Sequence, residues 1–170
     1  LSQFNSRSQL AAMTDLAALD FALRTAESVA FALHAVIGCT EALHGIGKHL
    51  SEGARKKLVS PNLFFPVAGF MLASVAIANF STPELILCAQ AYVIAFHTGG
   101  VMVHLKVEHH GVATVGPGFF IVLGFMVIWL RQSLVAALIS TVVFGLVGVG
   151  LATLMVKPRE NAELNAEMLS

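Results

Sequence analysis

Apolar residues fall in five long runs along this chain, separated by short polar breaks or breaks rich in proline and glycine. The first helix is predicted from about residue 16 to 50, longer than the roughly 20 residues that cross a bilayer. Its opening carries Asp15, Asp20 and Arg24 and reads as an amphipathic, interfacial piece leading into a span at 29–46. After a basic loop with Arg55, Lys56 and Lys57, a second helix is predicted over 62–79, with Pro66 in its first turns. Phe80-Ser81-Thr82-Pro83-Glu84 is a turn in which Ser81 or Thr82 caps and Pro83 takes the first helical position. The third helix follows to about Glu108. A glycine- and proline-bearing connector at 111–118 precedes a fourth helix over 119–130, or 115–131 if its flanks count. Arg131-Gln132-Ser133 forms the next turn, and a fifth helix runs over 134–156 until Pro158 stops it. The predicted organisation is an all-α integral membrane bundle of four to five transmembrane helices. An interfacial N-terminal segment occupies 1–28, the bundle 29–156 and a polar tail 157–170.

Composition agrees. Hydrophobic residues make up 56% of the chain and charged residues 12%, with a mean hydropathy of +0.80; soluble domains carry about a quarter charged residues. Net charge is zero, which leaves no basic field for nucleic acid. Cys39 and Cys88 both fall in apolar runs without CxxC or Cys/His spacing, so they read as packing residues, and no metal site is predicted. The chain begins at Leu1 and not at Met, which reads as a processed or truncated start, and residues 1–12 lack a signal pattern. With five spans, Lys48, Arg55, Lys56, Lys57, Lys106, Lys157 and Arg159 share one side, and Arg7, Arg24 and Arg131 the other. Seven against three places the first side, and the C-terminus, on the cytosolic, stromal or matrix-type face.

Polar residues inside these runs are the places to look for chemistry, because ionisable groups at membrane depth normally face a partner, a cavity or the bundle interior. Asp20, Glu27, His34, Glu41 and Lys48 follow one another at steps of seven and project from nearly one stripe, with Arg24 closing a local ion network. The third helix repeats the step with Gln90, His97 and His104, then Glu108. Two readings stand: a polar seam through Glu27, Glu41 and Gln90 that joins helices, or a proton path or ligand pocket around His34 and Glu41. The adjacent Gly99 and Gly100 let something large approach, either another helix or a macrocycle held by His97. His34, His97 and His104 are accordingly candidate ligands for chlorophyll or, less favourably, haem. His109-His110 reads as a solvated pair at the membrane edge. On the fifth helix, Ala137, Thr141, Gly145, Gly148 and Ala152 form a small-residue stripe, an interaction face expected to meet partner subunits. No Walker loop, nucleophile elbow or HExxH is present, which argues against a hydrolytic or nucleotide-driven enzyme.

The segment Glu41-Ala-Leu-His-Gly-Ile-Gly-Lys48-His-Leu50 resembles the glycine-xx-lysine-x-leucine signature that closes the first helix of DoxX-like membrane proteins. The similarity continues through a second helix bearing Pro66-Val-Ala-Gly69 and a third with a histidine near its end, and covers about residues 24–131. It implies a small four-helix membrane protein linked to quinone-dependent redox assemblies, with Gly45 and Lys48 the best-matching positions. No catalytic residue carries over, and the fifth helix departs from the pattern. The leading expectation is a non-catalytic accessory subunit of a large energy-transducing complex, held among membrane lipids and other integral-membrane subunits. A photosystem-type complex in the thylakoid ranks above a respiratory one in the mitochondrial inner membrane. The alternatives are a DoxX-like redox protein exchanging electrons with quinone and a proton-coupled carrier using His34, Glu41 and His97.

Overall fold

The computed structural model describes residues 2–44, 60–108 and 114–156. The basic loop, the 109–113 connector with His109-His110, and the C-terminal tail lie outside the described residues, as do the side chains of Glu41 and Cys39 and the whole of Gly45 and Lys48. Among the described residues, five α-helices follow one another: α1 (Ser2–His44), α2 (Pro61–Ala78), α3 (Pro83–Val103, continued by a single wide π-type turn at His104–Glu108), α4 (Val115–Arg131) and α5 (Leu134–Met155). Helix α1 starts well before the predicted residue 16. No proline or glycine interrupts 2–37, so the polar opening residues simply continue the helix. The result is a 43-residue rod of about 65 Å. Residues 20–28, expected in an interfacial piece ahead of the bundle, instead contribute buried side chains: Asp20, Arg24, Glu27 and Ser28.

The other boundaries follow local chemistry. Thr82 caps α3, its side chain accepting from the Leu85 N–H, and Pro83 occupies the first turn. Ser133 does the same for α5 through the Ala136 N–H at 3.1 Å, satisfying a donor that the helix start would leave open. Among the described residues, two stretches are long and apolar enough to cross a membrane: Pro83–Lys106, with 24 residues, and Leu134–Met155, with 22. The apolar stretches Pro66–Ala78 and Val115–Arg131 are shorter. Only 11% of the α5 window is buried within the chain, and its outer face is a continuous row of Leu, Ile and Val. Such a face needs lipid or protein against it.

Helix α1 packs chiefly on α2, and α5 chiefly on α3, with α4 bridging α1, α3 and α5. One apolar core gathers Phe31, Leu72, Val75 and Val93, and a second gathers Ile94, Ile128 and Ala137. The small-residue stripe of α5 is what brings α3 close. A Cβ on Gly148 would run into the Ala95 carbonyl, and one on Gly99 would sit 3.1 Å from the Gly148 carbonyl oxygen. Gly145 faces Thr98, and Ala137 and Ala152 are buried in the same seam. Thr141 turns its hydroxyl back to the Ala137 carbonyl at 2.8 Å, which removes a polar group from the contact. The stripe expected to meet partner subunits is thus occupied within the chain, and the approach permitted by Gly99 is that of a helix. Gly100 lies against Pro117 of α4.

This packing is tested by paired alanines. Gly148→Ala forces backbone apart and is expected to destabilise the protein by about 1–3 kcal/mol, read as a lower melting temperature in detergent. Gly150→Ala, with open space around it, is expected to leave the melt unchanged or slightly raised. Equal effects at the two positions contradict the seam.

Candidate functional site

Three helices deliver polar side chains to one buried point. On α1, Glu27 is fully buried; Asn79 closes α2 and is also fully buried; Gln90 comes from the middle of α3 and is fully buried too. The Glu27 Oε2 accepts from Asn79 Nδ2 at 2.8 Å and from Gln90 Nε2 at 2.7 Å. Gln90 Nε2 also donates to Asn79 Oδ1 at 2.8 Å, and Asn79 Nδ2 to Ser28 Oγ at 3.1 Å. Each amide carries two N–H groups, so all four amide protons are used. Two buried atoms are left over, Glu27 Oε1 and Gln90 Oε1, both without a hydrogen-bond partner. Both are acceptors in the ionised form of the site. The two amides therefore leave spare acceptors and no spare amide proton. Gly124 of α4 makes room for the amide: a Cβ there would sit 3.3 Å from Gln90 Oε1.

An ion cluster abuts this node. Asp20 receives Arg24 Nε at 3.0 Å, and Arg131 reaches it in a two-pronged grip at 2.9 and 3.0 Å. Arg24 also donates to the Asn79 backbone carbonyl and lies over the rings of Phe21 and Phe80. Arg24 turns to Asp20 and Asn79 and not to Glu27, contrary to the single network the spacing suggested. The grip on Asp20 places Arg24 and Arg131 at the same end of the bundle, as the charge count had them.

On the other side stands an aromatic layer. His97 is 7% exposed; its ring stacks on Phe31 at 5.4 Å and tilts against Phe120 at 4.8 Å, with Phe96 edge-on at 5.2 Å. Its Nδ1 bonds the Val93 carbonyl at 2.8 Å. His34 makes the equivalent bond to Ala30 at 2.9 Å but is exposed, touching Phe120 edge-on at 6.0 Å. Because those carbonyls take the Nδ1 proton, Nε2 is assigned as the lone-pair nitrogen in both rings. Phe120 stands between them, so a haem held jointly by His34 and His97 would have to displace it. His104 is half-buried in the wide turn that ends α3. Among the described residues no three of His, Cys, Asp and Glu converge as a metal site would require.

Among the described residues, the level at which the seven-residue stripes share hydrogen bonds is Glu27 with Gln90. Seven residues fall about 20° short of two turns, so the line rotates away from the partner helix as it climbs and carries His34 outward. Asn79 was legible only as a helix end, and Arg131 only as a turn residue and one of the basic residues on the Arg24 side. The available signal was a lone amide closing an otherwise apolar helix. Comparison of the chain with protein-family models, with curated proteins and with solved structures finds no match.

The ion cluster generates its own prediction. Asp20 and Arg24 have side chains only 11% and 9% exposed, whereas Arg131 is 22% exposed. Asp20→Ala strands two arginines and is expected to cost about 3–5 kcal/mol, with Arg131→Ala costing clearly less. Thermal unfolding of the two variants under matched detergent conditions checks this, and the reverse ranking contradicts it.

Proposed function

We propose that this protein is an integral-membrane, proton-coupled carrier in which Glu27 takes up and releases the proton. The observation that carries the reading is a carboxyl fully buried between three helices, held by amide donors, with no cation against it among the described residues. An isolated buried carboxylate is costly, and a bound proton is one way to neutralise it. Glu27 Oε1 is the atom with no partner, and it is where the proton resides in the neutral form. Four to five helices share the membrane in this reading, since α2 packs on α3, α4 packs on both helices long enough to span it, and α1 packs on α2 and α4.

The parts then have roles. Asn79 and Gln90 hold the carboxyl in both charge states because each can keep donating to Oε2. The Asp20–Arg24–Arg131 cluster forms the polar approach from one side, tied to the node through the Asn79 carbonyl. On the opposite side, Phe31, Phe96 and Phe120 close around His97, and its Nε2 lone pair is the next acceptor beyond the aromatic layer. A helix-joining seam alone asks only that polar groups be satisfied, and this node keeps two acceptors unsatisfied. An assembly role drew part of its support from the α5 stripe, which is occupied by α3.

The test is infrared difference spectroscopy of the protein in lipid during a pH step. A protonated-carboxyl carbonyl band is expected to rise and fall with pH. Glu27→Gln should abolish it, and Asn79→Ala or Gln90→Ala should shift it by removing a donor. A band unchanged by Glu27→Gln contradicts the proposal.

A further inference from the structure

Two buried oxygens in the Glu27 node stay without a partner, the carboxyl Oε1 of Glu27 and the amide Oε1 of Gln90. Each shares its carbon with an atom of the 2.7 Å bond from Gln90 Nε2 to Glu27 Oε2, so both flank a contact already made. The orientation of the amide is fixed by its neighbours. Gln90 Nε2 stands within 2.8 Å of two oxygens, Glu27 Oε2 and Asn79 Oδ1, and only the nitrogen end can donate to both. We infer that Gln90 is the residue that holds the proton on Glu27: the Glu27 Oε1–H group donates to Gln90 Oε1 and closes a cyclic acid–amide pair. The inference rests on the reading of Glu27 as the proton site and adds which neighbour receives the proton.

Counting donors selects this arrangement. Glu27 Oε2 already accepts from Asn79 Nδ2 and Gln90 Nε2, so an arriving proton bonds to Oε1. Both amides have spent their N–H groups, and the Ser28 hydroxyl bonds to neither leftover oxygen. One O–H group then serves both oxygens at once, and every existing contact of the node persists. The terminal torsions of Glu and Gln are broad, so bringing the two planar groups edge to edge costs little. On uptake an O–H bond forms at Glu27 Oε1, on release it breaks, and Gln90 itself exchanges no proton. The other buried ionisable side chains are Asp20, Arg24 and His97. Asp20 and Arg24 pair with each other and with Arg131 of α4, and His97 Nδ1 bonds the Val93 carbonyl. Helix α2 carries no ionisable residue. A hard divalent cation asks for about six oxygen ligands, whereas the described residues bring two free oxygens here. The α4 backbone also closes that side, with a Cβ on Gly124 only 3.3 Å from Gln90 Oε1.

The glutamines of the chain are Gln3, Gln9, Gln90 and Gln132. Gln3→Asn, Gln9→Asn and Gln132→Asn together leave Gln90 alone to carry an isotopic carbon label on the glutamine side-chain carbonyl, introduced by cell-free synthesis. Infrared difference spectra of this full chain in lipid are then recorded across a pH step. The labelled amide band should move to lower frequency as the Glu27 carboxyl band rises, with the same midpoint, and Glu27→Ala should remove both signals. The Glu27 band should also move further in Gln90→Ala, which loses an acceptor and a donor, than in Asn79→Ala, which loses a donor alone. Should these node variants fail to fold, the shared midpoint in the intact node still decides. A Glu27 band that rises beside an unmoved amide band overturns this inference and leaves the proton reading standing. Absence of the carboxyl band overturns both. A hydroxyl band that follows oxygen-labelled water, or a carboxyl signal that responds to Na⁺ in place of protons, would put water or a cation between the two oxygens and overturn the inference as well.

Discussion

The structure depends on one buried carboxyl shared among three helices. Glu27 cannot stand in a low-dielectric interior without donors, and the two it has come from elements 52 and 63 residues away in sequence. Satisfying it fixes the depth of α1 against both the end of α2 and the middle of α3. Hydrogen bonds to a charged group contribute about 1.5–3 kcal/mol each, and a buried group left unpaired costs comparably. Apolar packing alone would let helices slide, since lipid is as apolar as leucine and gives no preference for one register. The amide pair supplies that preference. Asn79 does so twice, because its carbonyl holds Arg24 while its side chain holds Glu27.

The two halves of the bundle are joined by different means. Helices α1 and α2 meet α3 through polar contacts at the node and an apolar core around Phe31. Helix α5 meets α3 by backbone proximity at Gly148 and Gly99, with no polar linkage needed. The same division separates chemistry from packing. Polar groups gather on the α1-facing side of α3, and an apolar groove lies on the other. Residues 90, 93 and 97 point one way along α3 and 92 and 95 the other, with Phe96 at the border, edge-on to His97.

Much of the architecture was legible because punctuation in membrane sequences is strong. Thr82-Pro83 and Ser133 mark helix starts that the structure keeps, and the small residues of α5 sit together on one face as their spacing required. Their destination was not legible: a stripe that fits any close helix carries no label distinguishing α3 from another subunit. The start of α1 was misplaced because polarity was read as a boundary where only proline or glycine would have made one. Glu27 and Gln90 were visible as polar residues at matched steps in otherwise apolar stretches. Asn79 and Gly124 were not, since one is significant only when α2 ends beside Glu27 and the other only for the side chain it lacks. The drift of a heptad on a straight helix, small per step, decided that His34 faces out while Glu27 faces in.

The central claim is that Glu27 and Gln90 act as one unit within the fold, and a double-mutant cycle measures that most directly. Glu27→Ala, Gln90→Ala and the double variant are unfolded in the same detergent, and the three stability losses compared. Residues sharing a buried hydrogen bond couple by about 0.5–3 kcal/mol, so the double variant should lose less than the two single variants together by at least about 1 kcal/mol. Strict additivity would show that the two side chains do not depend on each other, and would contradict the account.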